Sequence, residues 1–184
     1  PGLSVLMCWT IIPTMNHATA SNESTANTLC KSCGLCCSGH LFAWTKLRSP
    51  ELDGIEALGV KVFREPQQRG FNQPCPLWDG VCTVHASPDY PRFCKTYKCK
   101  LLKELIDEKV QLPEALKIVE QTMEMIVEVD KLLPDSSNPN FRERLVEHLD
   151  DGNSSQEFQR KANELLDVYE TRFGVDDLVD WNGK

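Results

Sequence analysis

The chain has 184 residues, of which 41% are hydrophobic, and this composition fits one globular domain or a small domain with a helical extension. No apolar stretch reaches the roughly 18–20 residues that a membrane-spanning helix needs, so we expect no contact with a membrane. The net charge of −7 is uneven: the first 100 residues carry 10 Lys and Arg against 7 Asp and Glu, whereas the rest carry 10 against 20, which argues against nucleic acid as a partner.

We predict that the first 27 residues form a disordered-looking leader, because residues 16–28 are rich in Ser, Thr, Asn and Ala. Residues 3–13 are apolar, and residues 18–20 (Ala-Thr-Ala) resemble the small-residue cleavage site of a signal peptide. A truncated signal peptide is therefore an open alternative. Since the positively charged start of such a peptide is missing, we favour a cytoplasmic protein.

We predict that residues 30–99 form a loop-rich segment, because Pro, Gly and Cys interrupt every periodic run of apolar residues. We expect a few short strand or helix pieces there, including the start of a short helix at residues 54–57. Eight of the nine cysteines lie in this segment. Metal sites, rather than a large apolar core, are expected to order it.

Two helices are predicted directly after the last cysteine. Residues 100–110 place Leu101, Leu102 and Leu105 on one face. Pro113 suits the first position of the next helix, where its missing N–H costs nothing, and apolar residues then recur at helical spacing down to residue 133.

Two further helices are predicted near the C-terminus. One covers residues 140–149, and Gly152 just after it prevents the helix from continuing. The other opens at a capping box of Ser154 and Glu157 and stops at Gly174.

The predicted fold is therefore mainly α, with a small irregular, loop-rich cysteine-cluster metal module and about four helices C-terminal to it. We divide the chain into the leader at residues 1–27, the metal-binding module at residues 28–110, and an acidic helical extension at residues 111–184. The helices are expected to pack on the module, because short amphipathic helices alone bury too little surface to be stable.

The first four cysteines form the string CxxCGxCC at residues 30–37. Two-residue gaps let successive thiolates converge on one point, which suits a tetrahedral zinc ion or an iron–sulfur cluster. The adjacent Cys36 and Cys37 diverge, so a natural arrangement puts one sulfur on each of two neighbouring sites. Eight thiolates are the number that two four-thiolate sites need, and the predicted ligands are Cys30, Cys33, Cys36, Cys37, Cys75, Cys82, Cys94 and Cys99.

The division of these ligands between two sites stays open at this point. Cys30, Cys33 and Cys36 have the spacing of a ferredoxin-type cluster, whose fourth ligand comes from elsewhere, here Cys94 or Cys99. Cys37, Cys75, Cys82 and the remaining cysteine then form the second set. Zinc and iron–sulfur sites can use the same sulfurs, so the metal also stays open. The cations Arg92, Lys95, Lys98 and Lys100 either offset the charge of a thiolate site or form a solvated surface.

Four histidines complete the set of candidates. His85, three residues after Cys82, is a candidate ligand, proton carrier or hydrogen-bond partner of a cluster sulfur, or else a partly buried polar residue. His40 is a weaker candidate because it is close in sequence to Cys37. His17 and His148 lie in no motif.

The later cysteines lie in three short segments. They are Cys75-Pro-Leu, Gly80-Val-Cys82-Thr-Val-His85 and Tyr90-Pro-Arg-Phe-Cys94-Lys-Thr-Tyr-Lys-Cys99. Together with CxxCGxCC they resemble the CxxCxxCC, or YkgJ-type, family of zinc- or iron-chelating cysteine-cluster proteins, over about residues 28–110. His85 stands where many members have Tyr, Tyr90 where Arg usually precedes the proline, and Lys95 where Arg is usual. The resemblance implies metal chelation, and related domains occur in the lysine N-methylation of flagellin.

Three functions remain open. The first is a structural or interaction module, in which two zinc ions hold the cysteine segment and the acidic helices bind a protein partner. The second is an iron–sulfur protein in electron transfer or in a methylation-type group transfer. The third is a secreted disulfide-rich protein, for which eight cysteines allow 105 pairings. We identify no catalytic residue and lean against an enzyme, and the oligomeric state is open.

Overall fold

The computed structural model describes residues 24–85 and 87–175. The candidate signal peptide and most of the predicted leader therefore lie outside the described residues. About half of the chain is helical, and three short strands form one small sheet. The predicted mainly α class is confirmed at this level. No helix in the described part of the chain is long and apolar enough to cross a membrane.

The described residues form seven α-helices. They are α1 (Thr25–Cys33), α2 (Leu52–Ala57), α3 (Arg92–Thr96), α4 (Lys100–Ile106), α5 (Leu112–Asp130), α6 (Phe141–Asp150) and α7 (Gln156–Val168). A 3₁₀ turn at Ser49–Glu51 precedes α2, and a π-helical turn at Tyr169–Phe173 extends α7. The four helices predicted after Cys99 correspond to α4–α7. The prediction of about four helices is nevertheless too low, because α1, α2 and α3 lie in and around the segment that was predicted to be loop-rich.

The helix ends differ from the predictions by a few residues. Helix α4 ends at Ile106 instead of residue 110. Ser155, not Ser154, caps α7, and its hydroxyl oxygen accepts the N–H of Phe158 at 3.1 Å. The predicted stop at Gly174 is confirmed, and this residue has a positive φ of 67°.

Helix α1 begins inside the segment that was predicted to be leader. The Ser24 hydroxyl oxygen accepts the N–H of Asn27 at 3.3 Å and caps the helix. Leu29 is buried, and α1 packs against α4 and α5. Burial of this apolar side chain explains why a stretch rich in Ser, Thr and Asn is helical here.

The sheet has the order β1-β3-β2, with all pairs antiparallel. Its strands are β1 (Trp44–Lys46), β2 (Phe63–Arg64) and β3 (Arg69–Asn72). Gly70 lies opposite both Lys46 and Phe63. A Cβ atom at Gly70 would lie 2.0 Å from the carbonyl oxygen of Thr45, so only glycine allows the strands to approach this closely.

Two hydrophobic clusters form the core. The larger joins Leu29 and Leu35 to the inward faces of α4–α7, including Leu101, Leu145 and Tyr169. The smaller consists of five buried residues around the sheet and α2, namely Leu47, Leu52, Ile55, Val60 and Phe71. The larger cluster contains residues on both sides of residue 110, so the helices and the cysteine segment share one core.

Asn140 connects the helices to the cysteine segment. Its side-chain oxygen accepts the N–H of Glu143 at 2.9 Å and caps α6. Its amide nitrogen donates to the carbonyl of Gln73 at 3.1 Å and, at 3.4 Å each, to those of Phe42 and Ala43. The Asn140 residue is 1% exposed, so its amide forms these bonds in the protein interior. One side chain therefore caps a helix and pairs the ends of β1 and β3.

We predict that Asn140→Ala lowers the free energy of unfolding by about 2–4 kcal/mol, because it removes a helix cap and the buried hydrogen bonds to the carbonyls of Phe42 and Gln73. Urea denaturation measures this change. Asn163→Ala is the control, since Asn163 is exposed on α7. Equal losses in the two variants would contradict the bridging role of Asn140.

Candidate functional site

The eight predicted metal ligands lie on short elements around one region of the fold. Cys30 and Cys33 are on α1, and Cys36 and Cys37 follow in the turn after it. Cys75 and Cys82 lie in the loop after β3, Cys94 is on α3, and Cys99 is the N-cap of α4. All eight are free thiols. The tertiary fold thus gathers cysteines that are up to 69 positions apart in the sequence.

A first thiol group consists of Cys30, Cys33, Cys36 and Cys99. Burial raises the pKa of Cys36 well above its usual range, and the charges of Cys33 and Cys99 raise it further. Burial, opposed in part by a backbone hydrogen bond, raises the pKa of Cys33 to about 12, and Cys99 and Cys30 add to the rise. The pKa of Cys30 is raised by burial and then by Cys99. These interactions place the four thiols within electrostatic reach of one another.

A second thiol group consists of Cys37, Cys75, Cys82 and Cys94. Burial raises the pKa of Cys37, and the charges of Cys94, Cys75 and Cys82 raise it further. Burial, followed by Cys75 and Cys82, raises the pKa of Cys94 to about 12. Cys36 and Cys37 interact across the boundary between the two groups, as expected for neighbours in the chain. Cys30 also interacts with Cys37, Cys82 and Cys94, so the division into two groups of four depends mainly on the adjacent pair, Cys36 and Cys37.

Backbone N–H groups point at three of the sulfurs. Hydrogen bonds from Leu35 and Leu77, each two residues further along the chain, lower the pKa of Cys33 and Cys75 against the larger effect of burial. The N–H of Leu102 donates to the Cys99 sulfur at 3.4 Å, at the start of α4. An N–H donor stabilises a thiolate over a thiol. Each thiol group therefore has at least one sulfur whose thiolate form is stabilised by a backbone N–H.

A tyrosine lies beside each thiol group. Burial raises the pKa of Tyr97, and the charges of Cys36 and Cys99 in the first group raise it further. Burial also raises the pKa of Tyr90, with added effects from Cys30 and Cys94. The Tyr90 hydroxyl donates to the Cys94 carbonyl oxygen at 3.3 Å.

The loop that carries Cys75 and Cys82 has little packing of its own. No described side chain in residues 74–90 is buried. The loop is tied to the first string by the Cys75 N–H, which donates to the Cys37 carbonyl oxygen at 2.7 Å. A single bridge pairs Trp78 with Cys82 inside the loop. Its position depends on a few backbone bonds and on the contacts of Trp78.

The three histidines that the structure describes have different surroundings. His85 stacks at a tilt on Tyr90, with ring centroids 5.0 Å apart, and so lies beside the second thiol group. His40 contacts Phe141 edge-on at 5.1 Å, and its electrostatic partners are Asp130 and Arg144 rather than a cysteine. His148 contacts Phe158 edge-on at 4.5 Å. His17 lies outside the described residues.

The donor set fits zinc or iron in kind and in number, with two groups of four unpaired thiols and N–H donors on three sulfurs. The sulfur positions are less favourable. In residues 24–85 and 87–175, no three His, Cys, Asp or Glu side chains are arranged to hold a metal ion. The assignment of all eight cysteines as ligands therefore stays a prediction.

Comparisons of the chain with protein-family models, curated proteins and solved structures give no match. The resemblance to the YkgJ-type family thus stays a prediction that depends on the motifs alone.

Gly34 fits the first cysteine string against the loop. It ends α1 with a φ of 66°, and a Cβ atom there would lie 2.1 Å from Cζ2 of Trp78. The indole therefore packs directly on the backbone between Cys33 and Cys36. This contact brings the loop of the second thiol group against the first string.

We predict that Gly34→Ala costs about 1–3 kcal/mol more stability than Gly152→Ala, because only the former overlaps a packed ring. Gly152 is a matched control, since its φ is also 66° but nothing lies within 4 Å of its Cβ position. Thermal unfolding measures both variants, and Trp fluorescence reports the displacement of Trp78. Equal costs would show that the indole does not pack on Gly34.

We predict that His40 makes the stability of the folded protein sensitive to acid. Burial lowers its pKa from 6.5 to about 4, so the folded protein favours the neutral ring. The stabilisation is complete above pH 6.5 and is lost as the pH falls towards 4, by at most about 1.4 kcal/mol per pH unit. We expect His40→Phe to flatten the stability profile between pH 6.5 and 4 in urea titrations. An unchanged slope in this variant would contradict the burial of a neutral His40.

Proposed function

We propose that this protein binds metal through its two thiol groups and that the metals order the cysteine segment. The observation that supports the proposal is a set of eight unpaired, mostly half-buried thiols, in which the neighbours Cys36 and Cys37 each interact mainly with a different set of cysteines. Two four-thiolate sites need this number and division of donors. Metal binding would draw the sulfurs of each group to about 2.3 Å from a zinc ion, since folding and ligation are coupled in such sites.

The cost of burying these thiols also favours a metal. Desolvation raises the pKa of seven of the eight, so the protein alone holds them as neutral thiols. A metal ion displaces the protons and supplies the positive charge that makes a buried thiolate stable. The N–H donors on Cys33, Cys75 and Cys99 would then act as hydrogen-bond partners of metal-bound sulfur.

We favour two zinc ions and a structural or interaction role in the cytoplasm. Four thiolates per metal form a closed shell, which is typical of structural zinc. The excess of Asp and Glu on the helical half would then suit a protein partner. The alternative is a pair of iron–sulfur clusters in electron transfer or in a methylation-type group transfer, for which the same sulfurs would serve. A secreted disulfide-rich protein is the third alternative.

The test is the metal content and the absorption spectrum of protein purified without oxygen. Two zinc ions give a featureless spectrum, whereas iron–sulfur clusters absorb broadly near 400 nm, with about four irons per cubane. We expect Cys99→Ser to empty the first thiol group and Cys94→Ser the second, so that each variant loses about half of the metal. Cys8→Ser is the control, because Cys8 is the one cysteine of the sequence that is not a predicted ligand.

Two outcomes would overturn the proposal. The first is a metal-free protein that keeps its fold in chelator but loses it in reductant, as expected of a disulfide protein. The second is full metal content in both Cys99→Ser and Cys94→Ser. Loss of all metal in either single variant would instead contradict the division into two independent groups.

A further inference from the structure

A groove of about 620 Å³ opens beside the thiol groups. Helix α1 contributes Cys30 and Lys31 to its wall, α3 and the residues after it contribute Lys95 and Lys98, and α4 contributes Ile106. This volume lies within the range of about 300–1,000 Å³ that is typical of small-molecule sites.

The charge of the groove is opposite to that of the protein. Three lysines line it, and no Asp or Glu among the described residues does so, although the chain carries a net charge of −7. Lys95 and Lys98 are exposed, and neither forms an ion pair within the described residues. A concave surface lined by one sign of charge concentrates ligands of the other sign.

The groove also has a flat and apolar part. The rings of His85 and Tyr90 lie side by side, with centroids 5.0 Å apart and planes at 41°. Ile106 is 44% exposed, which is unusual for its size in this fold, and it lies on the same groove. Aromatic and apolar walls with a few charged groups are typical of sites for small organic ligands.

We propose that this groove binds a small organic anion that carries a flat ring, such as an aryl phosphate or aryl carboxylate. Lys95 and Lys98 would pair with the anionic group, and His85, Tyr90 and Ile106 would contact the ring. This inference goes beyond the proposed metal binding, and the groove adjoins the proposed metal sites because Cys30 and Cys94 also line it. In this proposal His85 contacts the ring of the bound anion and does not coordinate a metal ion.

The probe is phenyl phosphate, titrated into the full-length protein as purified and followed by calorimetry and by amide shifts in ¹H–¹⁵N spectra. We expect saturable binding that weakens with salt, with shifts at the groove residues. Inorganic phosphate and phenol should each bind more weakly than phenyl phosphate, because each lacks one half of the ligand.

The double variant Lys95→Met/Lys98→Met should weaken phenyl phosphate binding by about tenfold or more, as expected for the loss of two charge-assisted contacts. The double variant Lys46→Met/Lys61→Met is the control, because both lysines are exposed and neither lines the groove.

Metal content is measured in every variant, so that failure of this inference can be told apart from failure of the proposed metal sites. Weaker ligand binding with unchanged metal content supports the groove. Three results would overturn it: no saturable binding of phenyl phosphate, equal binding of inorganic phosphate, or an unchanged affinity when Lys95 and Lys98 are replaced. If the last result came with a loss of metal, the lysines would instead balance the charge of the thiolate sites.

Discussion

The side chain of Asn140 is the contact on which the arrangement of the cysteine segment most depends. It caps α6 and at the same time pairs with the carbonyls of Phe42, Ala43 and Gln73. Nearby, the N–H of Arg142 donates to the carbonyl of Gly39 at 3.1 Å, and its guanidinium donates to the carbonyl of Leu41. The first turn of α6 therefore fixes the backbone just after Cys37 and just before Cys75. Because the Cys75 N–H bonds the Cys37 carbonyl, the same contact sets the distance between the two cysteine strings.

Burial imposes a second constraint, because thiolates in a dry interior repel one another and lack the hydration that stabilises their charge. Backbone N–H donors at Cys33, Cys75 and Cys99 lower the pKa of these thiols in part. The cation of Lys103 also lowers the pKa of Cys99. These effects are smaller than that of burial, since the pKa of each of the three thiols is still raised. The seven thiols with a raised pKa are thus neutral in the absence of a stronger positive charge. Metal ions are the usual source of such a charge in proteins.

The sequence predicted the helices that have an apolar stripe and a short helix near residues 54–57, but not α1, α3 or the pairing of the strands. Helices α4–α7 could be predicted because Leu101, Leu145 and Leu165 repeat at helical spacing with their neighbours. Strands of two to four residues are too short to show an alternating pattern, so the sheet could not be predicted. Cys99 caps α4 with a sulfur, which standard capping preferences do not include. The spacing of Cys30, Cys33 and Cys36 indicated one group, but the assignment of Cys94 and Cys99 depends on how α3 and α4 pack, which only the tertiary structure supplies.

The loop at residues 74–90 shows why cross-links matter more here than apolar packing. It has no buried side chain among its described residues, yet it carries two of the eight thiols. The core next to it has only five buried residues, which is too small a core to order a long loop. Trp78 on Gly34 and the Cys75–Cys37 backbone bond attach one end of the loop. The other end runs through Cys82 and His85 to Tyr90, whose hydroxyl donates to the Cys94 carbonyl oxygen on α3 at 3.3 Å. In the absence of a link through Cys82, this half of the loop should open more readily than the rest of the fold, and the groove beside His85 and Tyr90 would open with it. Metal binding and ligand binding would then be coupled, since the same loop supplies residues to both sites.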